Sequence, residues 1–320
     1  MPARDAEMRV LAVTNMYPNP REPALGTFVR DQVESLRDLG VDMDVLFIDG
    51  KASRWEYLAG FGRLRWWLRT HPPYDLIHAH YIFSGLVAKS QRRLPVLLTH
   101  HGIEVVLGWQ GTLCRVATPW MDRVIVTSEA VRNALPRVRT DLVPCGIDTE
   151  RFRPMDRGEA RARLGLPAEG GLVLFAGEPR PEKRLDVIRA AMDELRRLGT
   201  DAELVTAAGR PHADVPLFMN ACDVLVLASD FEGSPMVIKE AMACNLPIVS
   251  VDVGDVAQVV RGTEGCALCR REPGDVADKL QRALRRGGRT DGRGAVMHLS
   301  QPEIARRILG IYGEMVEGRR

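Results

Sequence analysis

The residues best suited to chemistry lie in the run 229–240 (SDFEGSPMVIKE). It follows the apolar stretch 224–227 (VLVL), which reads as a buried strand. The run therefore stands at a strand's carboxyl end, where open α/β sheets bind ligands. Ser234 is a good N-cap and Pro235 suits a first helical position, so a helix is expected to start here and run through Ala243. The unpaired backbone N–H groups of Met236 and Val237, with the helix dipole, favour an anion at this mouth. Glu232 falls just outside the helix start and Glu240 about a turn further in. Carboxylates beside an anion site do not serve the anion; they suit hydroxyl groups, as on a sugar and a ribose. Spacing alone is equally consistent with solvated helix charges, the usual state of glutamate.

A second candidate, 177–184 (GEPRPEKR), follows the apolar run 172–175. Arg180, Lys183 and Arg184 close together suit a diphosphate, because guanidinium forks onto phosphate oxygens and ammonium adds a point charge. A charged surface turn has the same composition. A third, 98–104 (LTHHGIE), places an imidazole at another strand end, where it can bond a hydroxyl or a phosphate. With 78–80 (HAH) it also reads as a metal site, but no carboxylate motif accompanies it, and a structural role fits as well.

These segments need strands to hold them. The chain opens with the strand 9–14, a Pro- and Asn-rich loop, and a helical pattern over 27–39 that stops at Gly40. Apolar runs follow at 45–48, 76–77, 96–98, 124–126 and 142–143, each separated by enough chain for a crossover helix. That alternation implies a parallel sheet covered on both faces. It breaks over 145–171 and resumes at 172–175, 204–205, 224–227 and 248–251. The expected organisation is an N-terminal, acceptor-side Rossmann-like domain over 8–155, a C-terminal nucleotide-sugar-binding Rossmann-like domain over 156–300, and a terminal helix over 301–320.

Composition narrows the classes. Of 320 residues, 44 are Lys or Arg and 42 Asp or Glu, so the chain as a whole carries no electrostatic footprint for nucleic acid. No apolar run approaches the ~18–20 residues of a membrane span. Residues 1–7 are polar and do not read as a secretory signal. Six dispersed cysteines fit reduced thiols in a cytoplasmic protein.

In chain order the motifs resemble those of the retaining glycosyltransferases of family 4. Glu232 and Glu240, with seven residues between them, match the family's E-x7-E, within FEGSP (231–235) and EAMACNLPIVS (240–250). VPCGID (143–148), with Phe152 and the Arg-Pro after it, resembles the interdomain signature. RVLAVTN (9–15) and GTFVR (26–30) resemble the opening strand and glycine loop. The opening and the Ser-Pro variant are similar to bacterial exopolysaccharide or teichuronic-acid assembly enzymes.

The resemblance implies an α/β, GT-B fold, with two doubly wound Rossmann-like domains facing a cleft and the second domain trimmed. It implies a retaining transferase that moves a sugar from a UDP- or GDP-linked donor to a glycan or lipid-linked acceptor, with no cofactor and no metal. Glu232 would bond the donor sugar and Glu240 the ribose. Lys183 would neutralise the leaving diphosphate, aided by Met236, Val237, Ser234 and the loop at Gly26. His101 would contact the sugar near the reacting bond. Three departures stand out: Glu178 where the family has Arg, leaving Arg180 as substitute; Cys145 where it has Asn; and only a short stretch between Gly209 and Met219. A sugar-nucleotide epimerase or hydrolase of the same fold, or an inert homologue acting as a binding partner, are the competing classes.

Two further segments bear on this reading. Asp42-Met43-Asp44 has the D-x-D form of metal-dependent transferases, but precedes its strand and reads as a strand-entry turn. Over 54–69, Tyr57, Leu58, Phe61, Leu64 and Leu68 share one helical face, bordered by Arg54, Arg65, Arg69, Trp55 and Trp66. The stripe is expected to lie on the sheet, and its basic, aromatic border to touch the inner membrane face peripherally.

Overall fold

The computed structural model describes residues 8–318, apart from Ala24, Leu107 and the side chain of Ile103. The polar stretch 1–7 lies outside the described residues. The chain divides into two compact units, 1–146 with 301–320, and 147–300.

The first unit holds six parallel strands: β1 (Arg9–Thr14), β2 (Asp42–Phe47), β3 (Leu76–His80), β4 (Val96–His100), β5 (Arg123–Val126) and β6 (Asp141–Leu142), in the order β2-β1-β3-β4-β5-β6. β3 and β4 are buried at every position, as strands covered on both faces must be. The helix Gln301–Glu317 packs on β3 and on the helix Thr27–Arg37. Its fully buried Tyr312 bonds through the hydroxyl to His78 Nδ1 at 2.6 Å. The last helix is thus part of the first unit, and the unit boundary falls at residue 146, where composition points to 155.

The second unit holds β7 (Gly171–Phe175), β8 (Ala202–Thr206), β9 (Val224–Leu227), β10 (Ile248–Val251) and β11 (Ala267–Cys269), in the order β11-β10-β9-β7-β8 and all parallel. Both sheets follow one doubly wound plan, in which the strand order reverses beside the unit's first strand. The reversal falls between β1 and β3 in the first unit and between β7 and β9 in the second. Crossovers leave such a point in opposite directions, so the loops after those strands flank a crevice.

Two sequence expectations change. β2 starts at Asp42, so Asp42 and Asp44 are strand residues and not an entry turn; Arg9 pairs with them at 2.6 and 2.8 Å, and Tyr74 donates to Asp44 at 2.6 Å. That local guanidinium neutralises the D-x-D pair within the sheet edge. In the helix Trp55–Thr70 only Gly60 and Leu64 are buried, while Leu58 and Phe61 stay exposed, because the contact face is centred on Gly60, where Ile48 and Val87 approach.

Candidate functional site

In the second unit the loops after β7 and β9 carry the charged motifs to the switch point. Lys183 ends a single tight turn, Pro181–Lys183, and its Nζ donates to Glu232 Oε1 at 2.6 Å. Both side chains are mostly buried. The loops are also tied through the backbone, Asp230 N–H donating to Glu182 O at 2.8 Å. Lys183 and Glu232, 49 residues apart, therefore form one constellation. An ammonium has three N–H bonds. One is used here, which leaves capacity for phosphate oxygens.

The helix expected after this loop spans Met236–Ala243, and its N-cap is Pro235 rather than Ser234, with no side-chain cap. Ser234 is diverted: its hydroxyl donates to Asp255 Oδ2 at 2.6 Å and accepts from Lys239 Nζ. Lys239 is fully buried and pairs with Asp255 at 3.2 Å. The uncapped first-turn N–H groups at Met236 and Val237 stay available to an anion. Gly254 lies against the same loop. Its φ is +60°, and a Cβ there would stand 2.6 Å from Gly233 O and 3.1 Å from Glu232 O, so no side chain fits without moving the Glu232 backbone.

Glu240 is buried inside that helix, and its Oε1 lies 3.1 Å from His212 Nε2. Arg151 Nη1 approaches His212 Nδ1 at 3.4 Å. Guanidinium only donates, so Nδ1 accepts and Nε2–H is the group that faces the carboxylate. His212 lies in the short stretch between Gly209 and Met219, so the trimmed connection supplies a partner to the ribose candidate. Sequence reasoning missed it, as it missed Lys239. The only available signal for the latter was a lysine beside Glu240 in a run, MVIKEAMA, whose other residues are apolar.

The other cations of the first loop are placed elsewhere. Arg180 is 63% exposed and pairs with Glu182 at 3.3 Å. Arg184 is held by Asp186 at 3.0 Å and Asp230 at 3.3 Å. Glu178, in the place of the family's arginine, accepts from Gly209 N–H at 3.3 Å.

In the first unit His101 follows β4 directly. Its Nε2 lies 3.0 Å from His80 Nδ1, its Nδ1 3.7 Å from Cys145 Sγ, and its N–H donates to Glu104 Oε1 at 2.8 Å. The rings of Phe28 and Tyr81 stand 4.9 Å away. Phe28 is the second residue of the helix Thr27–Arg37, whose N-cap is Gly26 (φ 62°); a Cβ at Gly26 would collide with the Met16 carbonyl at 2.4 Å, so the glycine is what brings this helix start in. Tyr81 itself has φ 68°, a strained value for a non-glycine residue just past β3. Nearby, a cavity of about 590 Å³ is lined by Asn15, Tyr57, Tyr81, Phe83, Glu104 and Trp109, residues that follow the strand ends or the helices they feed.

In His78-Ala79-His80, both ring nitrogens of His78 are engaged inside the core. His78 bonds Thr99 at 2.7 Å besides Tyr312, and among the described residues no cluster of three potential ligands occurs. Cys266 and Cys269 are free thiols, pushed up by burial to about 11 and 12.

Burial pushes His80 down to about 3 and His78 well below its ordinary value, so both are neutral in the fold. The unfolded chain binds their protons below pH ~6.5, so stability is full above that pH and falls as acid is added, by up to about 1.4 kcal/mol per pH unit for each histidine. Thermal melts from pH 7.5 towards 5 should show a falling Tm, with a shallower fall in His80→Phe. Parallel slopes in parent and variant would contradict this assignment.

Residues 2–151 match the family model described as Glycosyltransferase Family 4, and residues 172–286 match Glycosyl transferases group 1. Both matches are to glycosyltransferase families, each over less than half of the chain. Over 284 residues it is 29% identical to D-inositol 3-phosphate glycosyltransferase of Mycobacterium tuberculosis and to that of Mycobacterium bovis, covering 72% of this chain. It spans 59% of the length of these curated relatives. Sucrose-phosphate synthase from Thermosynechococcus elongatus superposes with TM-score 0.84 at 21% identity, over 98% of this chain and 100% of that one. Anabaena HepE in complex with UDP and glucose gives TM-score 0.73 at 18% identity, over 96% and 100%. The family 4 and group 1 domains are two Rossmann-like parallel-sheet units matching GT-B glycosyltransferase structures. In the group 1 domain the match spans Lys183, Glu232 and Glu240; in the family 4 domain it spans Gly26 and His101.

Proposed function

We propose that the chain is a retaining glycosyltransferase that moves a sugar from a UDP- or GDP-linked donor to a glycan or lipid-linked acceptor without a metal. The observation that carries this reading is the Lys183–Glu232 pair at 2.6 Å, set at the switch point of the group 1 domain beside an uncapped helix N-terminus. Lys183 and the N–H groups of Met236 and Val237 neutralise the diphosphate as it leaves, the task a divalent cation performs elsewhere. Glu232 accepts from the sugar's hydroxyls and Glu240, held by His212, from the ribose. HepE's complexes with UDP and UDP-glucose support the donor class. In the family 4 domain His101, neutral because burial lowers its pKa, bonds the sugar near the reacting bond, and the cavity beside Tyr81 and Trp109 takes the acceptor. The acceptor belongs to bacterial surface-polysaccharide assembly, with peripheral membrane contact along 54–69. Arg180 serves as an outer, exchangeable contact to the diphosphate.

Release of nucleoside diphosphate from UDP- and GDP-linked sugars should persist in EDTA. Activity lost in chelator and restored by Mg²⁺ or Mn²⁺ would overturn metal independence, and a chain that no nucleoside diphosphate stabilises thermally would overturn the donor reading. The two carboxylates separate by ligand. Glu240→Ala should weaken nucleoside diphosphate on the order of 10–100-fold, the worth of a charge-assisted bond. Glu232→Ala should weaken the intact sugar donor while leaving the diphosphate equal or tighter, since it frees Lys183. Parent-like binding of both ligands by both variants, read by titration calorimetry, would remove the pair from donor recognition.

A further inference from the structure

The helix Trp55–Thr70 exposes Trp55, Leu58, Phe61 and Trp66 along its border. Against its second half opens a cavity of about 570 Å³. Phe61, Leu64 and Leu68 form an apolar wall. Arg65 and Arg69, one turn apart, line it with Arg92 from the turn that precedes β4, and among the described residues no carboxylate lines it. All three arginines are exposed, and none has an ion pair or hydrogen bond from its side chain among the described residues. Arg63 on the same helix is different, pairing with Glu56 at 2.7 Å.

Three cations gathered with no ion pair among the described residues repel one another and are relieved by an incoming anion. The exposed Trp55, Leu58, Phe61 and Trp66 of the same helix favour an anion that brings apolar surface with it. A free phosphate would gain nothing from Phe61 or Trp66. The position matters as well: the cavity lies where chain enters β3 and β4, at the amino edge of the sheet, whereas His101 and the Tyr81 cavity lie at the carboxyl edge. It is therefore separate from the transfer chemistry of this domain.

We propose that this cavity docks an anionic bilayer, with lipid phosphates on Arg65, Arg69 and Arg92 and the interfacial acyl region against Phe61 and Trp66. The proposal rests on the membrane contact put forward above and gives it a site; it does not require sugar transfer. The test is flotation of the whole chain with vesicles of phosphatidylglycerol and phosphatidylcholine, against phosphatidylcholine alone. The parent should float with the anionic vesicles and not with the neutral ones. Arg65→Gln/Arg69→Gln/Arg92→Gln should lose on the order of 100-fold in apparent affinity, at the usual worth of basic side chains near such a surface. Phe61→Ser/Trp66→Ser, at exposed positions, should also weaken it. Inorganic phosphate at millimolar concentration should not displace the protein. Failure of the parent to float, parent-like flotation of the arginine variant, or displacement by phosphate each overturns the proposal, the last in favour of a free-phosphate site. Nucleoside diphosphate affinity of the same variants should equal the parent's, so loss of docking and loss of the donor reading are told apart.

Discussion

Lys183→Ala is expected to weaken nucleoside diphosphate binding on the order of 10–100-fold, the range for charge-assisted contacts, and Arg180→Ala by much less. The difference follows from placement. Lys183 is held at the switch point by a 2.6 Å bond to Glu232, with both side chains largely buried, so its charge acts through little water. Arg180 is 63% exposed and paired with Glu182, so solvent screens whatever it contributes. Glu178→Ala should be neutral, because that carboxylate is directed to the Gly209 N–H. Titration calorimetry of the three variants with one nucleoside diphosphate decides among them. An Arg180 effect as large as that of Lys183 would mean that the loop rearranges to bring both cations to the ligand.

Lys239→Met should be the most destabilising single change in the group 1 domain, costing about 3–5 kcal/mol, as when one partner of a buried ion pair is removed. The ammonium is fully buried, and the carboxylate it faces, Asp255, is 9% exposed and bonded to Ser234. Removing the cation strands that charge beside the loop that carries Glu232. The paired change Lys239→Met/Asp255→Asn should recover much of the loss. Denaturant unfolding measures both, and a single variant as stable as the parent would show that Asp255 takes up a proton or finds water at little cost. Because Gly254 abuts the carbonyls of Glu232 and Gly233, donor affinity should fall along with stability.

The fold was legible because its strands are short, apolar and buried on both faces, so they interrupt a helical pattern visibly. The β7 and β9 runs were read almost to the residue. The candidate site was half legible. Glu232, Glu240 and Lys183 stood out as charges at strand ends. Ser234 was read as a cap from its type, although its hydroxyl is claimed by Asp255 and Lys239. The stripe over 57–68 was read as core, but a helix that approaches its sheet through Gly60 cannot bury Leu58 and Phe61 as well.

The sequence by itself determined the alternation of elements, the two parallel sheets and the spacing of the carboxylates, because periodicity records which residues face inward within a single element. Only the tertiary structure decided which loops meet. It brought Lys183 to Glu232 across 49 positions, His212 to Glu240 across 28, and His80 to His101 across 21. It also returned the helix Gln301–Glu317 to the first unit and left Arg180 at the surface. Such partners are set by strand order and by loop paths over the sheet edge. A local pattern carries neither, since the bond that fixes a polar side chain is made with a residue outside its own element.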